Sequence, residues 1–136
     1  MSITIAIARC YDSELIDTLH ERLFPSDDAP RVWDAAWVAW IENRPVGFAT
    51  VKLTDNGSSA FLQRSGVTHE ARGTGLQRRF IRVRERWARE NGAKAALTYT
   101  TYENYASIVN LIRCGYELYT PFWRWAGGVN YFQKRL

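Results

Sequence analysis

One stretch limits the folds open to this chain more than any other: Val67-Thr68-His69-Glu70-Ala71-Arg72-Gly73-Thr74-Gly75-Leu76-Gln77-Arg78-Arg79. It follows a strand-like run, residues 60–67, and opens a long amphipathic helix. Leu76, Phe80, Val83 and Trp87 recur there at i, i+4, i+7 and i+11, the spacing of one buried face. Asn91-Gly92 supplies a C-terminal cap. The first turn of a helix leaves N–H groups without intrahelical partners at the positive end of the aligned peptide dipoles. Thr74, Gly75, Leu76, Gln77 and Arg78 therefore offer one anion several donors, and Gly73 and Gly75 carry no side chains to block it. A phosphate or pyrophosphate is the expected ligand. The alternative is that the glycine pair only builds a tight strand-to-helix turn.

Two common phosphate motifs do not fit. A nucleotide P-loop needs Gly, four residues, then Gly-Lys-Ser/Thr, which no stretch supplies. A dinucleotide fingerprint needs a third glycine or alanine where the chain has Arg78. It also needs an acidic residue about twenty positions on, where Ala95 and Ala96 stand.

Arg72-Gly73-Thr74-Gly75-Leu76, after a strand and opening a helix, resembles the central motif of the GCN5-related N-acetyltransferase (GNAT) superfamily, Gln/Arg-x-x-Gly-x-Gly/Ala. Arg72 and Gly75 match it, and Gln77 departs from the expected glycine or alanine. A second segment, residues 104–116, resembles the family's later helix: Asn104, Ser107, Gly115 and Tyr116 match its asparagine, small residue and closing Gly-aromatic pair. The resemblance runs from Ala36 onward. It implies one α+β domain over residues 1–136. Its sheet is mixed, twisted and mostly antiparallel, of six to seven strands with one splayed parallel pair, and three to four helices accompany it.

The resemblance also implies a reaction: transfer of acetyl from acetyl-CoA to a primary amine by direct attack within a ternary complex. Amides from Arg72 to Gln77, with Arg78, would hold the pyrophosphate. Backbone around Val67 would hold pantetheine and the thioester carbonyl, in the splay between the strand ending at Val67 and residues 95–100. Asn104 and Ser107 would serve from the mouth of the later helix. A backbone N–H near Val67 would stabilise the oxyanion as coenzyme A thiolate leaves. A free alkyl amine has a pKa of about 10.4, so its proton must be removed near neutrality. No carboxylate lies on residues 60–67, where many members keep one, which leaves a water chain or Glu103. Where members often place a tyrosine the chain has Leu111. Tyr102, Tyr105 and Tyr116 could substitute, but each also reads as a packing aromatic. No catalytic residue is named.

The chain is 136 residues, 46% apolar and 14% aromatic, which supports one packed core and argues against disorder. Cys10 and Cys114 form neither a metal spacing nor a disulfide framework, so no metal is expected and a reducing cytoplasm fits. The first six residues lack a cationic leader, and no apolar run reaches membrane length, so a soluble, unprocessed protein is expected. Alternation of Ile3, Ile5 and Ile7 reads as a first strand. Asp12 or Ser13 caps a helix reaching about Phe24, with Leu15, Ile16, Leu19 and Leu23 inward. Residues 25–30 form a loop in which Asp27 and Asp28 either attract a cationic acceptor or solvate a turn. Strands follow at 36–41 and 46–53 around a turn at 42–45, then at 93–101. Strand pieces at 116–118, 122–125 and 130–134 close the chain. Trp33, Trp37 and Trp40 read as core or pocket walls.

Net charge is +4, favouring anionic ligands in general. Arg78, Arg82, Arg86 and Arg89 form a helical stripe, diluted by Glu85 and Glu90, that keeps a nucleic-acid-binding module as a rival. A domain that binds acyl-CoA without turnover is the other alternative. The acceptor, protein or small molecule, is not legible, and a homodimer through the closing strands is open.

Overall fold

A computed structural model describes residues 3–136. The order is β1 (Ala6–Arg9), α1 (Ser13–Leu23), β2 (Ala35–Ile41), β3 (Arg44–Thr54), β4 (Ser59–Val67), α2 (Leu76–Glu90), β5 (Ala95–Thr101), α3 (Tyr105–Arg113), β6 (Glu117–Leu118) and β7 (Val129–Arg135). Short 3-10 turns lie at Asp55–Gly57 and His69–Ala71. The strands form one mixed sheet ordered β1-β2-β3-β4-β5-β7-β6, in which β4 and β5 run parallel. This is the expected α+β architecture, with β4 before the Arg-Gly-Thr-Gly bend and the crossover helix α2 and parallel β5 after it.

Two expected boundaries move. Pairing with β2 begins at Ala6 opposite Trp40, so the first strand starts there and Ile3 stays exposed. Met1 and Ser2, part of the N-terminal reading, lie outside the described residues. Residues 122–125 are not a strand: Pro121 has no N–H for a ladder, and the following segment bends back so that the Ala126 N–H donates to the Tyr131 hydroxyl at 2.9 Å.

The chain divides into two compact units. Of the described residues, the first comprises 3–52 and 63–80. The carboxylate of Asp12 starts α1 by accepting from the N–H groups of Glu14 and Leu15 at 3.0 and 3.2 Å, satisfying two of the orphan donors. One face of α1 then buries Ile16 and Leu19 with Cys10, Ala36, Val38 and Phe48, and Trp33 and Trp40 pack against this cluster. Trp37 is buried too, so the three tryptophans are core residues. Gly47 on β3 has no room for a side chain, since a Cβ there would sit 2.9 Å from the Gly66 carbonyl and 3.1 Å from the Phe80 ring.

The second unit comprises residues 53–62 and 81–136. Its parallel pair is in register at Ser59 with Ala95, Ala60 with Ala96 and Phe61 with Leu97. The Lys94 N–H donates to Ser58 at 2.7 Å and the Thr98 hydroxyl to the Leu62 carbonyl at 2.9 Å, so both ends of the pair are tied. Antiparallel β7 then lines β5 from Ala95 opposite Arg135 to Thr101 opposite Val129. Inside lies a polar group the sequence reading placed elsewhere. Glu85, assigned to the solvated stripe of α2, is 2% exposed. Its carboxylate accepts from the Tyr116 hydroxyl at 2.8 Å and pairs with Lys134 Nζ at 3.1 Å. Burial, then the Glu85 charge, drives the Tyr116 pKa far up, so the phenol stays protonated. Arg84 beside it is buried as well, and desolvation brings its pKa down to about 10. The buried stripe of α2 thus runs through Leu76, Phe80, Ile81, Arg84, Glu85 and Ala88, with Val83 and Trp87 only half-buried.

Candidate functional site

The bend is built within the first unit. β4 ends at Val67, and the Thr68 N–H is bound to the Val46 carbonyl at 2.8 Å, which removes Thr68 as an oxyanion donor. The chain then makes the 3-10 turn, in which Ala71 N–H donates to Thr68 at 3.1 Å and Arg72 N–H to His69 at 3.2 Å. That bond corrects one expectation: the Arg72 amide is used internally, and what Arg72 can offer an anion is its exposed guanidinium. The Thr74 hydroxyl closes the turn on the Ala71 carbonyl at 2.5 Å.

Gly73 and Gly75 have φ of +74° and +82°, the left-handed region where a Cβ is strained. Space is not the constraint. A Cβ at Gly73 would meet nothing within 4 Å, and one at Gly75 only the end of Arg78 at 3.8 Å. The glycines are therefore there for backbone direction, and the surface above them is open.

The consequence is a run of donors. Backbone bonding resumes where Arg79 N–H reaches Gly75 O at 3.2 Å. Between Arg72 and Arg79, the N–H groups of Gly73, Thr74, Gly75, Leu76, Gln77 and Arg78 find no backbone acceptor among the described residues. Leu76 turns its side chain into the core, so it contributes main chain only. Gln77, which departs from the family pattern, accepts from the Ser65 hydroxyl at 2.8 Å, tying the first turn of α2 to β4 and leaving its NH2 to donate. Arg72 and Arg79 are exposed and Arg78 half-buried around the bend. The one acid on the turn, Glu70, is paired with Arg44 at 3.1 Å. Open N–H groups at a helix start, ringed by cations with the nearby acid neutralised, are fitted to a polyanion such as a pyrophosphate.

Asn104 and Ser107 belong to the second unit. Asn104 is the N-cap of α3, its Oδ1 accepting from the Ser107 N–H at 3.3 Å, so its amide nitrogen is what remains for a ligand. Leu111 is buried. Of the tyrosines considered as acids, Tyr116 is locked to Glu85 and is a packing group, while Tyr102, Tyr105 and the carboxylate-bearing Glu103 are exposed. Asp27 is not a loose attractor for an amine: it pairs with Arg64 at 2.5 Å, and that hydrogen bond holds its pKa below the usual carboxylate value. What sequence reasoning missed is the Glu85 group. Its signal was the spacing Ile81, Glu85, Ala88, which places an acid on the inward face.

Comparison with solved structures finds the same fold at low identity. The IAA acetyltransferase from Bacillus cereus ATCC 14579 superposes with a TM-score of 0.80 at 14% identity, covering 98% of this chain and 100% of that one. Arabidopsis thaliana NAA60, solved with a bisubstrate analogue, gives 0.76 at 15%, covering 97% and 98%. A Bacillus anthracis str. Ames protein described as a streptothricin acetyltransferase, solved with acetyl coenzyme A, gives 0.67 at 20%, covering 78% and 64%. Among curated protein sequences none matches the chain significantly. The model of the Acetyltransferase (GNAT) family matches residues 5–116, most of the length and both motifs. The chain belongs to the GNAT acetyltransferase family.

Proposed function

We propose that this protein, as one domain over residues 1–136, transfers the acetyl group of acetyl-CoA to a primary amine by direct attack on the thioester. The observation that carries this reading is the row of six N–H groups from Gly73 to Arg78, at the turn and start of α2, for which no close backbone bond is found among the described residues. Those amides, with the side chains of Arg72 and Arg78, hold the pyrophosphate, and main chain around Val67 takes the pantetheine arm and the carbonyl. Asn104 and Ser107 are assigned to the same ligand on the strength of the motif they match. The acceptor is a small-molecule or protein amine, and the protein works in the cytoplasm.

The chemistry asked of the chain is modest. Binding places the amine against the carbonyl and converts a two-body encounter into a local one. Main-chain donors stabilise the oxyanion, and the thiolate departs with limited need for an acid, its parent thiol being far more acidic than an alcohol. A second reading, acyl-CoA binding without turnover, is favoured by one observation: Leu111, buried, supplies no hydroxyl where many members have one.

Thermal shift with acetyl-CoA, coenzyme A and a nucleotide lacking pantetheine tests the binding. Saturating ligand at about 100 times Kd adds about 2.7 kcal/mol of stability, several degrees for a domain of this size. Gly75→Asp puts a carboxylate among the donors and is expected to abolish the shift. Because φ at Gly75 is positive, Asp also carries a backbone cost of about 1 kcal/mol. Gly75→Asn bears the same cost without the charge and is expected to keep part of the shift. An undiminished shift in both variants removes the bend from the site. Thiol release across a panel of amines separates the transferase from the silent binder.

A further inference from the structure

The segment between β6 and β7 is clamped at both ends. The Tyr119 N–H donates to the Tyr131 carbonyl at 3.0 Å. The Tyr131 hydroxyl donates to the Ala126 carbonyl while accepting from the Ala126 N–H at 2.9 Å. Between these ties the Trp125 ring sits 4.9 Å from Phe61, 5.1 Å from Tyr99 and 5.3 Å from Tyr131, mostly edge to face. This stapled segment bounds a cavity of 480 Å³ lying wholly in the second unit. A volume of that order is typical of small-molecule sites.

The lining has a one-sided chemistry. Tyr102, Tyr119 and Tyr131 bring three aromatic rings, Asn130 an amide and Arg124 a guanidinium, and no acidic residue lines the cavity. Among the described residues Arg124 has no ion-pair partner. An exposed guanidinium in a lining otherwise uncharged and rich in aromatic rings matches a planar apolar body carrying one negative charge, since its fork donates two hydrogen bonds to a carboxylate. A dianionic phosphate would ask for a second cation, which the lining lacks.

We propose that this cavity binds a small aromatic carboxylate, Arg124 taking the carboxylate and the tyrosines the ring. No residue of the bend at 72–78 lines it, so loss of one ligand is read separately from loss of the other.

Titration with phenylacetate, followed by the fluorescence of the tryptophans in this segment, is expected to saturate. Arg124→Gln is expected to weaken binding about tenfold, the worth of one charge-assisted contact. Tyr102→Ala, at a position 60% exposed and therefore unimportant for folding, is expected to weaken it as well. Benzylamine is expected not to bind. The proposal is overturned by absence of saturation at about 10 mM phenylacetate, an affinity too weak for a built site. It is equally overturned by unchanged binding in Arg124→Gln, by equal binding of benzylamine, or by tighter binding of phenyl phosphate. Melting each variant with and without coenzyme A shows that it is folded and separates this outcome from that of the pyrophosphate site.

Discussion

His20 lies 1% exposed in the first unit with its ring 5.3 Å from Phe24 and 5.9 Å from Phe48. Its Nε2 has no hydrogen-bond partner among the described residues. Burial first, and then the nearby Arg64 charge, lower its pKa below 6.5, against the opposing pull of Asp27, Asp17 and Asp28. The imidazole is therefore neutral in the fold but takes a proton in the unfolded chain, so stability is lost as pH falls below about 6.5. Asp27, whose pKa is lowered by Arg64, loses its contribution only at more acid pH, below the ordinary carboxylate value. Urea denaturation between about pH 7 and 5 is expected to show this decline, and His20→Phe to flatten it. Glu85, unlike the His20 ring, has partners for its buried carboxylate in Tyr116 and Lys134. Glu85→Ala strands a buried phenol and a partly buried ammonium, and is expected to cost about 3 kcal/mol. Tyr116→Phe removes one hydrogen bond and is expected to cost about 1 to 2 kcal/mol by the same denaturation curves.

Among the elements, β3 shows the tightest constraint. At Gly47 the nearest obstacle to a Cβ is a backbone carbonyl, which cannot swing aside, so Gly47→Ala is expected to destabilise by about 1 to 3 kcal/mol. At Gly127 a Cβ meets nothing within 4 Å and φ is not left-handed, so Gly127→Ala is expected to stay within about 0.5 kcal/mol. Melting curves of the pair check both. Elements bounded by strong local signals were legible from residues alone. Asp12 before α1 and Asn104 before α3 each mark a start through a side-chain bond to the first-turn backbone, the two glycines before α2 do so through their left-handed φ, and the structure contains those starts. What depended on distant partners was not legible. Ile3 alternates like a strand residue, but the sheet begins only where β2 offers an edge. Residues 122–125 have strand-like composition, yet the Ala126 bond to the Tyr131 hydroxyl and the packing of Trp125 on the Tyr131 ring hold them in a loop. The burial of Glu85 depends on Tyr116 and Lys134, dozens of residues away, which no local period reports.

For the molecule as a whole, the two motifs were enough to name the family, while the donors that matter at the bend could be sorted only once its bonds were known. Among the described residues no helix is long and apolar enough to cross a membrane. The nucleic-acid rival changes in one respect: with Glu85 buried, Glu90 alone interrupts the arginine stripe, and Arg82, Arg86 and Arg89 are exposed. The acetyltransferase reading expects no retention on duplex DNA at about 150 mM salt, where purely electrostatic binding of a few contacts has already faded. Filter binding across a salt series checks it. The sheet ends at β6, which is only two residues long and covers β7 at Gln133 and Phe132. Glu117 on that stub is bonded to Gln133 at 3.2 Å, and Lys134 and Arg135 follow on the strand behind it. A long, flat, uncharged rim would be a template on which neighbouring copies could stack into fibres. Such a stunted, charged margin denies them that foothold, so concentrated stocks are expected to stay dispersed and blind to amyloid dyes.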